Sequence, residues 1–178
     1  MTIDESPVVE AVLAVHAGAL GTDAFAYRHH VYRVLNLCAA QLPGEPEQLD
    51  KIAIAAAFHD LGIWAAGTFD YIEPSVRLAR DHLVAIQRAD WTREVTAMIR
   101  EHHKVSRYRG DEGRLVEPFR RADWADVSLG LIRNGLPRSL VRQLFAMWPS
   151  AGFHRRLVQL ELHRLRTHPL RPLPMVKL

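Results

Sequence analysis

The chain has one cysteine, Cys38, among its 178 residues. A single thiol excludes an intrachain disulfide and fits a reducing, cytoplasmic setting. Cys38 falls on an apolar helical face, which assigns it to the core rather than to nucleophilic chemistry. No apolar run approaches the ~20 residues needed to cross a bilayer. The opening residues, Met1-Thr2-Ile3-Asp4-Glu5-Ser6, are acidic and polar and do not read as a signal peptide. No stretch alternates apolar and polar residues between turn signals, so no convincing strand is expected. Internal repeats and low-complexity blocks are also missing.

What is present is helical. Hydrophobic residues make up 48% and charged residues 24%, as in an ordinary soluble chain, and the length suits one domain with a real core. Ser6-Pro7 opens a first helix to about Leu20, because proline at the first helical position has no amide hydrogen to waste. Further helices are expected over Asp23–Gln41, Pro46–Leu61, Pro74–Arg88, Trp91–His103, Leu115–Leu129, Pro137–Trp148 and Phe153–Thr167. Gly62–Ile72 and Lys104–Gly113 read as loops. The economical fold is one all-α bundle of about seven to eight helices over residues 1–168. Residues 169–178, with three prolines, read as an extended tail.

Net charge is +3, unevenly spread. From Ser150 onward, Arg155, Arg156, Arg164, Arg166, Arg171 and Lys177 face only Glu161. Such a segment suits an acidic partner or nucleic acid, but a solvated helix face is the plainer reading. Together with Trp148 and Phe153 it would offer a contact surface, including one for a second copy in a homodimer.

The chemistry centres on Ala57-Phe58-His59-Asp60-Leu61-Gly62. An apolar helical run delivers a histidine and an aspartate side by side, and the glycine ends it. Imidazole and carboxylate are common ligands for a borderline divalent metal. Ten histidines and ten aspartates in this length give about half a His-Asp pair by chance, so the dipeptide alone is weak. Asp60 follows an apolar stretch, and a buried carboxylate needs a cation or hydrogen bonds. The alternative is that it only caps or turns the helix end. His30 sits on an apolar face one turn before Val34. Asp123 shares a stripe with Phe119 and Val127 and points inward. Asp126 is offset by three and could share that face, but reads more simply as an exposed acid or a partner of Arg121 or Arg133. Adjacent His102 and His103 differ by about 100° on a regular helix, so both reach one place only at a fraying end or toward two metals. His82 reads as a core histidine, and Tyr27 and Tyr71 as packing residues.

In order, His30 with Arg33-Val34, His59-Asp60, His102-His103 and Asp123 resemble the HD-domain superfamily of metal-dependent phosphohydrolases. The resemblance covers about Tyr27 to Leu129. It implies an all-helical bundle with the site at its centre, and a metal held by His30, His59, Asp60 and Asp123. Relatives with two metals add histidines, matched here by His102-His103. The position of a further histidine in one branch is Glu73 here, a possible oxygen ligand, with His82 as its rival in the di-iron pattern. Ile63 stands where several relatives place lysine, and the Gly-Tyr-Pro motif of the cyclic-dinucleotide branch is missing. The cofactor is then one divalent ion, or two, with Fe, Mn, Zn, Co, Ni and Mg not distinguished. The implied reaction is hydrolysis of a nucleotide or another small phosphate ester by metal-activated water, with Asp60 orienting that water or taking its proton. Lys104 and Arg107, with Arg109, follow His102-His103 and would hold phosphate oxygens unless their loop is merely solvated. A di-iron oxygenase and a metal-stabilised binding module are the rival readings.

Overall fold

The computed structural model describes residues 2–177. Its helices are α1 (Pro7–Val15), α2 (Ala17–Leu20), α3 (Ala24–Ala39), α4 (Pro46–Phe58), α5 (Gly62–Ala65), α6 (Ile72–Ala85), α7 (Thr92–Glu101), α8 (Gly113–Val127), α9 (Arg138–Met147) and α10 (Phe153–Thr167), with 3-10 turns at Gly21–Asp23 and Ala89–Trp91. Among the described residues no strand forms, and extended pairing is limited to one isolated bridge between Lys104 and Lys177. The chain is thus one all-α domain. No single helix is long and apolar enough to cross a membrane.

The bundle is organised around α3 and α4. On α3, Tyr27 and every residue from His29 to Cys38 are buried, so the helix is internal on all sides. On α4, Ile52 through Phe58 are all buried. The small side chains of Ala55, Ala56 and Ala57 let neighbouring helices approach closely. Helix α3 packs against α4 and, most extensively, α8, while α7 bridges α4 and α8. These four helices enclose a polar centre inside an apolar shell. Cys38 lies fully buried in that shell.

Helix ends differ from expectation where backbone contacts decide them. At His16 the backbone departs from helical geometry (φ −102°, ψ 9°), which divides the expected first helix into α1 and α2. Ser6 does cap α1, with Oγ accepting from the Val9 amide. Helix α4 ends at Phe58, which puts His59, Asp60 and Leu61 in a turn. Gly62 then starts α5 instead of merely ending α4. A Cβ at Gly62 would lie 2.5 Å from the Tyr71 carbonyl oxygen and 2.9 Å from the Ser75 amide nitrogen, so the α5–α6 packing leaves no room for one. Its amide donates to Ser75 Oγ at 2.9 Å.

The C-terminal segment does not run free. Met175 is buried against Ile63 and Tyr71. The Val105 amide donates to the Lys177 carbonyl at 2.8 Å, and Lys177 Nζ pairs with Glu101 at 2.7 Å. Trp148 and Phe153 are 6% and 1% exposed, which removes them from any contact surface: Trp148 stacks on Tyr32 and Phe153 on His30.

Candidate metal centre

Each of the four central helices delivers polar groups to one point. Helix α3 carries His30 and Arg33. The turn after α4 carries His59 and Asp60. His102 and His103 lie just past the C-terminus of α7, where the regular 100° step no longer separates them. Helix α8 carries Asp123 and Asp126, which share a face.

His30 Nε2 and His59 Nε2 stand 2.9 Å apart. Asp60 Oδ2 is 3.5 Å from the first and 3.6 Å from the second. Asp123 Oδ1 is 3.9 and 3.5 Å from the same two atoms. The second oxygen of each carboxylate turns the other way: Asp60 Oδ1 lies 3.4 Å from His102 Nε2, and Asp123 Oδ2 lies 3.4 Å from His103 Nδ1. Two clusters result, His30–His59–Asp60 and Asp60–His102–His103, joined by Asp60, and each could hold a metal ion.

The hydrogen bonds behind the rings define their tautomers. His59 Nδ1 lies 2.8 Å from the Ala56 carbonyl, and His102 Nδ1 lies 2.7 Å from that of Ile99. A carbonyl only accepts, so each Nδ1 carries the hydrogen and each Nε2 presents a lone pair inward. His30 Nδ1 faces Asp126 Oδ2 at 2.6 Å. Lone pairs on His30 and His59 would repel at their separation unless a cation or proton stood between them. Asp60 Oδ1 and both oxygens of Asp123 are buried without a hydrogen-bond partner, an expensive arrangement for carboxylates unless a cation compensates it. Two donors each about 2.1 Å from one cation are about 3.0–3.4 Å apart in octahedral or tetrahedral geometry. The donor set therefore fits a divalent ion in chemistry, and His30, His59 and Asp60 lie close to that spacing.

Burial would lower the His30 pKa, but the Asp126 carboxylate overrides it and raises the value to about 9. Burial would raise Asp60, but His59 and His102 hold it well below the ordinary carboxylate range. His103 is pushed down to about 4 by burial and by its neighbour His102. Its Nε2 meets the Tyr71 hydroxyl at 2.8 Å.

Asp126 is fully buried, contrary to the expectation of an exposed acid paired with Arg121 or Arg133. It accepts from His30 and from both Nε and Nη2 of Arg33, the latter at 3.1 Å. Arg33 Nη1 donates on to the Trp148 carbonyl at 2.8 Å. Asp126 thus fixes His30 from behind. The signal available was its three-residue offset from Asp123, on the inward face of α8.

Not every expected residue reaches the centre. Glu73 is exposed and pairs with Arg100 at 2.9 Å, because α6 turns it outward. His82 packs on Phe58, beside His16, away from the cluster. Arg107 lines a surface groove with Arg109, and neither it nor Lys104 lines the cavity beside Asp60. Tyr27 donates to the Ala57 carbonyl at 3.0 Å and packs in the core, whereas Tyr71 touches the site.

Comparison with curated proteins gives no match, and comparison with solved structures gives none. The HD domain family model matches residues 27–128, the span that carries every residue of the cluster, and the chain belongs to the HD-domain family.

Proposed function

We propose that the protein is a metal-dependent phosphohydrolase acting on a small phosphate ester. The carrying observation is the convergence of His30, His59 and Asp60, with Asp123 Oδ1 3.9 and 3.5 Å from the two rings and with buried carboxylate oxygens that no protein hydrogen bond satisfies. In this reading these four residues hold one divalent cation. Asp60 and Asp123 reach with their other oxygens toward His102 and His103, which gives a place for a second. A cation held by these residues would supply Lewis acidity, lowering the pKa of water and offsetting charge on a phosphoryl oxygen.

The remaining work belongs to the chain. Asp126 and the Ala56 and Ile99 carbonyls hold the rings in the ligating tautomer. Asp60 orients the attacking water or accepts its proton. Tyr71 and His103 stand at the edge of the cluster, where a leaving group would emerge. Lys104 and Arg107 drop out of this reading as phosphate clamps, since the cavity walls leave them outside.

Metal analysis of the protein, followed by phosphate release from a panel of phosphomonoesters and nucleotides, tests this. Hydrolysis that is lost in His59→Ala and Asp123→Ala is the expected result. A metal-loaded protein that releases no phosphate from any ester sinks the reading. A di-iron oxygenase is the second reading, favoured by the two clusters sharing Asp60. Oxygen consumption by the iron-loaded protein, with two irons per chain, would select it.

A further inference from the structure

A cavity of about 370 Å³ opens beside the cluster, with Asp60 and His103 in its wall. That volume suits one small ligand. Apart from Glu161 the rest of the wall is apolar or aromatic and comes largely from α10 and the segment after it: Leu157, Val158, Leu162, Leu173, Met175 and Val176. Val158, Leu162 and Leu173 are 57%, 51% and 49% exposed. Apolar side chains gathered around one mouth and left uncovered mark a binding surface. Among the described residues no lysine or arginine lines this cavity, whereas Arg107, Arg109, Arg114 and Arg121 gather at a separate groove. The polyphosphate of a nucleotide would find no side-chain cation in the wall of this cavity. Glu161 is the one further carboxyl in the wall, and its Oε2 is buried without a partner. Burial raises its pKa above the ordinary carboxylate value.

We propose that this cavity receives the hydrocarbon part of the substrate, so that the natural ester is a monophosphate of an apolar alcohol whose single phosphate reaches the cluster. The inference rests on the phosphohydrolase reading for its phosphate and on the cavity wall alone for its hydrocarbon.

Two ligand series separate these supports, each titrated calorimetrically into the metal-loaded full chain. The first is methyl, butyl, hexyl and octyl phosphonate. The second is butanol, hexanol and octanol, which carry no phosphate. Affinity should rise about fourfold per methylene in both series until the cavity is filled. Val158→Asp, at a wall position that is 57% exposed, should flatten the slope. Val158→Leu should keep it. Length-dependent binding of the alcohols without binding of any phosphonate supports the apolar cavity and overturns the phosphoester reading. Phosphonates that bind equally at every length, with alcohols that do not bind, overturn the hydrocarbon inference and leave the phosphoester reading standing. No binding in either series overturns both.

Discussion

Asp126 shows how much one residue can carry without touching a ligand. Its carboxylate is the shared acceptor of a ring that faces the cluster and a guanidinium buried 0% exposed beneath it. Removing it leaves Arg33 without its buried counter-charge and His30 free to rotate. Asp126→Ala should destabilise the fold by about 3–5 kcal/mol in urea titration. Asp126→Asn keeps the shape and loses the charge, and should weaken metal binding by about 10–100-fold in a chelator competition. Unchanged affinity in the asparagine variant would reduce Asp126 to packing. Glu117 makes a different prediction. It accepts from Arg120, Arg121 and the Tyr108 amide, and although burial opposes ionisation, Arg120 leads in bringing its pKa down to about 2. A carboxyl depressed on folding stabilises above its unfolded value near 4.5, and that stability drains as pH falls toward 2. Glu117→Gln should therefore be less stable than the parent at pH 6, with the gap closing across this window. A gap of constant size from pH 6 to 2.5 would contradict the linkage.

At the scale of elements, the helical pattern and the ligand order were readable because both repeat a local rule. Apolar spacing announces a buried face, and His30, His59-Asp60, His102-His103 and Asp123 each lie at a helix face or end that points inward. What the chain could not announce were meetings between distant elements. Asp126 finds its partners on α3, more than ninety residues away. The docking of Met175 depends on a slot between α5 and Tyr71 that exists only after folding. Gly62 looked like a helix stop, yet its constraint is the backbone of α6 pressed against it. Gly62→Ala should shift the urea midpoint down, by about 1–3 kcal/mol in free energy, through overpacking. The same variant should lose metal affinity, since the turn that holds His59 and Asp60 abuts the strained junction. A variant as stable as the parent would mean that α5 and α6 separate at no cost.

For the whole molecule, a cation held at the centre would couple folding to metal binding. An ion that binds only the folded chain adds about 2.7 kcal/mol of stability when present at a hundred times its Kd. Calorimetric scans should show a higher Tm with metal than after chelation, and the increment should vanish in His59→Ala. Equal Tm values with and without metal, in a protein shown to bind it, would mean that unfolded chains bind it as well.

The burial of the cluster also bears on time. His30, His59 and Asp123 are 0% exposed and Asp60 is 1% exposed, so an ion among them would reach water only through the cavity that Asp60 and His103 line. The cavity is the passage, and Tyr71 and Met175 stand in its wall. Exchange of the ion would then run past the C-terminal segment, with a half-life set in part by the side chains that segment places in the wall. Met175→Ala should shorten that half-life while changing equilibrium affinity far less. Strength of binding and ease of release would be governed by different parts of the chain: the four-helix centre for the first, and the last turn of polypeptide for the second.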